Sequence, residues 1–374
     1  MDFVFEDHNL VIVRNKFEQF FFKYYIIIIP TVYLLRIILQ YVFFYRPYSL
    51  FDFTKIITEV ALIIALIFSN KLFSSTPVLI SQLFLENIVS PINYENKDEI
   101  HSHKHYLSRL DYWLNNKFRI LPGMIASTIV FSYYIIRTGG FEKFISNINI
   151  SMHFIDRGLY FLPSVFYSYF VGLVVWKLII ISRFVSFIPN KFCVNVKFGH
   201  PDRAGGLLPI GKICIKMIYI TLVPTILSLF ILVGPVMKII MDIPTPLANS
   251  TLLFIFSPLI LFSGITGSII ALVPLIKYHK VMENQKIKFF EYLNIISQRI
   301  IELKMNLEES DVTLKKNAGD IIKEIVTLQE FYNSHDRINT WPLNRKILIG
   351  IWTTQTILWG QVVGLYKLAI QYFL

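Results

Sequence analysis

Seven stretches of this chain are almost uninterrupted in apolar residues for about the length a helix needs to cross a bilayer. They run from Tyr24 to Tyr45, Ile56 to Phe73, Ile120 to Ile136, Leu159 to Phe187, Ile213 to Ile240, Thr251 to Ile276 and Ile347 to Phe373. The apolar residues come in blocks, not at helical or strand periods. Lipid can cover such blocks, whereas a water-soluble core cannot bury this many. The chain is 54% hydrophobic and 16% charged, against roughly 25% charged in soluble domains. The expected fold is therefore all-α: a polytopic helical membrane protein of about seven spans. Residues 1–276 hold spans one to six, 277–346 a cytoplasmic helical hairpin, and 347–374 the last span.

Loop charge sets the orientation. The connection from Pro91 to Arg119 carries Lys97, Lys104, Arg109, Lys117 and Arg119, and that from Pro189 to Lys212 carries Lys191, Lys197, Arg203 and Lys212. Residues 277–346 carry Lys and Arg along their whole length. The alternate connections carry Arg46 and Lys55, then Lys143 and Arg157, then no Lys or Arg between Met241 and Ser250. This alternation places the N-terminus inside the cell and the C-terminus outside, in a prokaryotic inner membrane. The net charge of +11 is then loop charge facing anionic lipid, and nucleic acid is not an expected partner. The first apolar run is too long for the core of a cleaved signal and reads as a retained span. Residues 74–90 are apolar but hold Pro77, Gln82, Glu86 and Asn87, so they fit an interfacial or re-entrant piece as well as a continuation of span two.

In residues 277–346, Ile287, Phe290, Leu293, Ile296, Ile300, Leu303 and Leu307 recur at three- and four-residue steps. The polar run 308–320, with Gly319, interrupts the pattern. A second face follows at Ile322, Ile325, Val326, Leu328 and Phe331. Two helices that pack on each other are expected, with a homo-oligomer or a cytoplasmic protein partner at 277–340.

The most distinctive loop is Gly199-His200-Pro201-Asp202-Arg203-Ala204-Gly205-Gly206-Leu207. His200 can carry a proton, Asp202 can orient it or bind a cation, and Arg203 can hold an anion. Gly205 and Gly206 permit a tight turn with close backbone approach. The loop is read as a ligand or gating site, with a rigid hydrogen-bonded turn as the plainer reading. It resembles the His-Pro-Asp-x-Ala-Gly-Gly-Leu loop of poorly characterised prokaryotic multi-span membrane proteins. In these, further spans, a cytoplasmic helical segment and a Trp-Pro pair precede a last span, as Trp341-Pro342 does here. The resemblance covers the second half of the chain and implies a layout, not an activity.

His101, His103 and His105 form a candidate metal set, which three imidazoles on one face of a strand would satisfy. On a helix only His101 and His105 share a face. Charges within spans are costly unless paired or able to reach water. Arg36, Glu59 and Lys177 are the charges singled out inside spans, and Arg36 and Glu59 lie on adjacent antiparallel helices that would let them pair. No Walker loop, GxSxG or HExxH is present, and no cofactor is implied. The leading expectation is an ion channel or membrane-perturbing effector, in a setting such as prokaryotic defence, assembled or gated through its cytoplasmic helices. The alternatives are an ion-coupled carrier using Lys177 and Glu59, a membrane-embedded enzyme, or a sensor or scaffold.

Overall fold

The computed structural model describes residues 15–44, 53–91, 99–137, 151–197, 200–202, 204–240, 247–309, 315–334 and 341–343, together with eight single positions between 349 and 367. Among these residues the chain forms eight α-helices: α1 (Lys16–Phe44), α2 (Phe53–Leu85), α3 (Glu99–Leu114), α4 (Ile120–Arg137), α5 (Ser151–Lys191), α6 (Leu208–Ile240), α7 (Leu247–Glu309) and α8 (Lys315–Ser334). A 3-10 turn at Lys117–Arg119 leads into α4. One antiparallel two-stranded ladder joins β1 (Val89–Pro91) to β2 (Phe192–Val194), pairing Val89 with Val194 and Pro91 with Phe192. The mostly helical fold fits the all-α expectation, but the expected seven spans are not found among the described residues. Two helical segments, Glu59–Leu85 and Leu162–Lys191, are long and apolar enough to cross a membrane among the described residues.

Several helices outrun the expected spans. Residues 74–85 continue the helix of the second apolar block, and 86–90 form the turn and the start of β1. The helix then closes with a Schellman turn. Asn87 takes φ 50°, its N–H bonds Phe84 O, and the Ile88 N–H bonds Leu83 O. Span six and the first hairpin helix form one continuous helix, α7, of 63 residues and about 95 Å. The interruption expected at 308–320 falls between the end of α7 at Glu309 and the start of α8 at Lys315, with Gly319 inside α8. Asn15 starts α1 by accepting the Phe17 N–H at 3.0 Å.

The helices meet where side chains are small. A Cβ on Gly172 of α5 would lie 2.3 Å from Pro122 O and 2.7 Å from the Gly123 Cα of α4. A Cβ on Gly267 of α7 would lie 2.2 Å from Thr221 Cγ2 of α6. Small residues at such crossings are a common way for helices to associate in lipid. Serine hydroxyls add bonds to carbonyls across helices, as Ser127 Oγ does to Val165 O at 3.0 Å. Outward from the core, α1 exposes Ile26, Ile27, Leu34, Leu35, Ile38 and Val42, and α4 exposes Leu121, Met124, Ile125 and Ile129. The hairpin core is Leu293, Ile296, Ile300 and Leu303 of α7 against Ile325 of α8. Ile287, Phe290, Ile322 and Val326, expected in that interface, are instead exposed.

Candidate functional site

The His200–Leu207 loop is a bonded turn built around one carboxylate. Asp202 Oδ1 accepts the N–H of Ala204 at 2.8 Å and of Gly206 at 3.1 Å, and Oδ2 accepts the Leu208 N–H at 3.3 Å. Leu208 begins α6, so Asp202 caps that helix. His200 Nδ1 lies 2.9 Å from Asp202 Oδ1, and its Nε2 lies 3.7 Å from Glu86 Oε2 at the end of α2. Lys197 Nζ donates to Glu86 O at 2.6 Å, and the Lys197 N–H to Gly205 O at 3.1 Å. Gly205 and Gly206 have φ of 65° and 85°. A Cβ on Gly206 would lie 2.2 Å from Ile88 Cδ1, and one on Gly205 2.3 Å from Val196 Cγ1. The two glycines are there because the turn is left-handed and closes against the ladder. Arg203 lies outside the described residues.

Burial alone would raise the Asp202 carboxyl. The N–H groups of Gly206 and Ala204, then His200 and the Leu208 N–H, outweigh it and hold the group below its ordinary value of 3.8. A depressed native value means that the ionised carboxylate stabilises the fold. That contribution is complete above 3.8 and fades as pH falls through the native value. Hydrogen-exchange protection of the Ala204, Gly206 and Leu208 amides is therefore expected to hold down to about pH 4 and decline below it. Asp202→Asn should flatten that dependence, and Asp202→Ala should cost about 1–3 kcal/mol of stability. Unchanged amide protection in Asp202→Ala would remove the carboxylate from this role.

The Trp-Pro pair folds onto the same end of the molecule. Trp341 stacks on His279 of α7, with ring centroids 4.1 Å apart and planes at 7°. A Cβ on Gly211 of α6 would lie 2.1 Å from Pro342 O, and Leu343 is buried beside it. Gln285 of α7 receives the Val196 N–H at 2.9 Å and donates to Val194 O. The distinctive loop, the ladder and Trp341-Pro342 thus form one layer at the ends of α2, α5 and α6 and midway along α7. Helix α3 lies on the same layer, where Tyr106 donates to Phe184 O at 2.5 Å. Burial pushes that phenol up, so it remains a donor.

A second polar cluster was not assembled from the sequence. Glu18 of α1 is 1% exposed, and its Oε1 lies 3.0 Å from Arg119 Nε. Its Oε2 lies 3.9 Å from Nζ of Lys177, which is 0% exposed. Arg119 Nη1 also donates to Asn115 O, and Lys177 sits over the rings of Phe22 and Phe73 at 5.4 and 5.3 Å. The sequence singles out Lys177, but nothing in its spacing pairs it with residues 18 and 119. The signal was Glu18 itself, an acid one turn ahead of the first apolar run.

The side chains of His101 and His103 lie outside the described residues. No family model, curated protein or solved structure matches this chain. His101, His103 and His105 lie on α3, a helix and not the strand that would align three imidazoles; His105 is exposed. Among the described residues no group of three His, Cys, Asp or Glu is placed to hold a metal ion. The side chain of Arg36 lies outside the described residues, and Glu59 is half-buried on α2.

Proposed function

We propose that this chain crosses a bilayer seven times with its N-terminus cytoplasmic, and that it self-assembles into an ion-conducting or membrane-perturbing oligomer. The observation that carries the assembly is a second apolar stripe on the part of α7 beyond the bilayer. Ile287, Phe290, Ile301 and Met305 are all exposed, on a face next to the buried Leu293, Ile296, Ile300 and Leu303. Ile322 and Val326 of α8 are exposed one turn apart. A helical hairpin in water does not keep such a stripe without a partner. A second copy, held at the same height by the same continuous helix, meets it in register.

The last apolar segment supports the same reading. Gly350, Thr353, Thr356, Gly360 and Gly364 are helical and exposed, and nothing lies within 4 Å of a Cβ on any of the three glycines. The Gly360-x-x-x-Gly364 spacing suits close helix association in lipid. The small-residue crossings and the outward apolar faces of α1 and α4 suit a lipid environment. A carrier would need Lys177 open to a passage, whereas burial under Phe22 and Phe73 beside Glu18 makes it a tie between helices.

Ile301→Glu with Val326→Lys should reduce the detergent-solubilised oligomer to a monomer on light scattering, and abolish ion flux from liposomes, without changing Tm. An unchanged oligomer mass would sink the assembly. Loss of mass with flux retained would leave the assembly standing but not its link to conduction.

A further inference from the structure

An open cleft of about 580 Å³ runs between α1, α4 and α5, lined almost wholly by apolar surface from Ile28, Val32, Leu162, Val165 and Phe166, with Ser127 at its side. This is within the size range of sites for small organic ligands. Its axis follows α5. At one end Tyr169 stands within electrostatic reach of Glu18 and Arg119. That end is basic. Arg119 and the buried Lys177 share one carboxylate, Glu18. Lys16 and Lys117, two residues from Glu18 and from Arg119, are both exposed. Among the described residues, the turns that carry Glu18 and Arg119 therefore hold two exposed lysines besides the paired Arg119 and Lys177. Phe118, Ile120 and Leu121, beside Lys117, are exposed as well, as an interfacial turn would have them.

We propose that this cleft is a binding site for an anionic phospholipid of the cytoplasmic leaflet. One acyl chain lies between α1 and α4 along α5, and the phosphate is met by Lys16 and Lys117 with Arg119 behind them. The inference rests on the membrane reading above. The two halves of the site match the two halves of one molecule: the trough excludes water and offers no charge, and its cytoplasmic end offers the two exposed lysines. A zwitterionic lipid would fill the trough but bring no net charge to meet them. The bound lipid would lie above the point where the Glu18–Arg119 pair ties α1 to the turn ahead of α4.

The test uses the full chain purified in mild detergent and examined by native mass spectrometry after exposure to equal amounts of phosphatidylglycerol and phosphatidylcholine. One retained phosphatidylglycerol is expected. Lys16→Gln with Lys117→Gln should weaken the headgroup preference, by roughly fivefold for each lysine, while a lipid is still retained. Val165→Trp should fill the trough and lose either lipid. The lysine variants lie on the exposed surface, so they report even if Val165→Trp fails to fold. Equal retention of the two lipids by the unaltered protein, or a preference that survives both lysine substitutions, would overturn the proposal. If the membrane reading itself were wrong, the protein would wash from membranes in alkaline carbonate. If the lipid site alone were wrong, it would stay in the membrane and show no preference.

Discussion

Replacing Glu18 by Gln is expected to cost about 3–5 kcal/mol, among the largest losses a point change can cause in this protein. The carboxylate is the shared partner of Arg119 at 3.0 Å and Lys177 at 3.9 Å, and Lys177 is fully buried. Removing Glu18 takes from Arg119 and the buried Lys177 the carboxylate they share. The cost comes mainly from the buried charge that remains, not from the lost bond. The double variant Glu18→Gln with Lys177→Met should therefore recover much of the loss, because Met refills the space under Phe22 and Phe73 without a charge. Thermal unfolding of the detergent-solubilised single and double variants measures both. Additive losses would mean that Glu18 and Lys177 do not act as a pair.

Gly172→Leu is expected to separate α4 from α5 at a cost of about 3 kcal/mol or more. The side chain would enter the Pro122 carbonyl at 2.3 Å and the Gly123 Cα at 2.7 Å, and both are backbone, so neither can turn aside. Arg119 leads into α4, so the same change should loosen the ion cluster and weaken Ser127 against Val165. Met124→Leu, on the exposed face of α4, is the control, and its Tm should stay that of the parent. Equal Tm for Gly172→Leu and the parent would show that α4 and α5 do not cross at this glycine.

The apolar blocks made the helical class readable, because a block long enough to span lipid is also long enough to be a helix. Where helices end was less readable. Pro77 and Glu86 suggest a break after span two, yet α2 passes Pro77 and stops at Leu85. Its stop signal was Asn87, a residue that tolerates the left-handed turn. The hairpin was legible from Leu293, Ile296, Ile300 and Leu303. Ile287, Phe290, Ile322 and Val326 share the same spacing, and spacing cannot say which of two neighbouring stripes is covered by the chain itself. The His200–Leu207 turn was legible as a turn, since two consecutive glycines after an Asp leave few other conformations. The packing of Pro342 on Gly211 of α6 was not, because residues 211 and 342 are joined by packing alone. Glu18, Arg119 and Lys177 escaped for the same reason: three helices far apart in sequence meet there.

The membrane crossing and its orientation are tested most directly by labelling a thiol from one side. Cys193 is exposed on β2, in the layer assigned to the cytoplasm, and Cys214 is buried. A membrane-impermeant maleimide should label Cys193 in inverted vesicles and leave it unlabelled in sealed cells. In a Cys193→Ser background, Asn249→Cys at the start of α7 should do the reverse. Labelling of both positions from the same side would contradict the account.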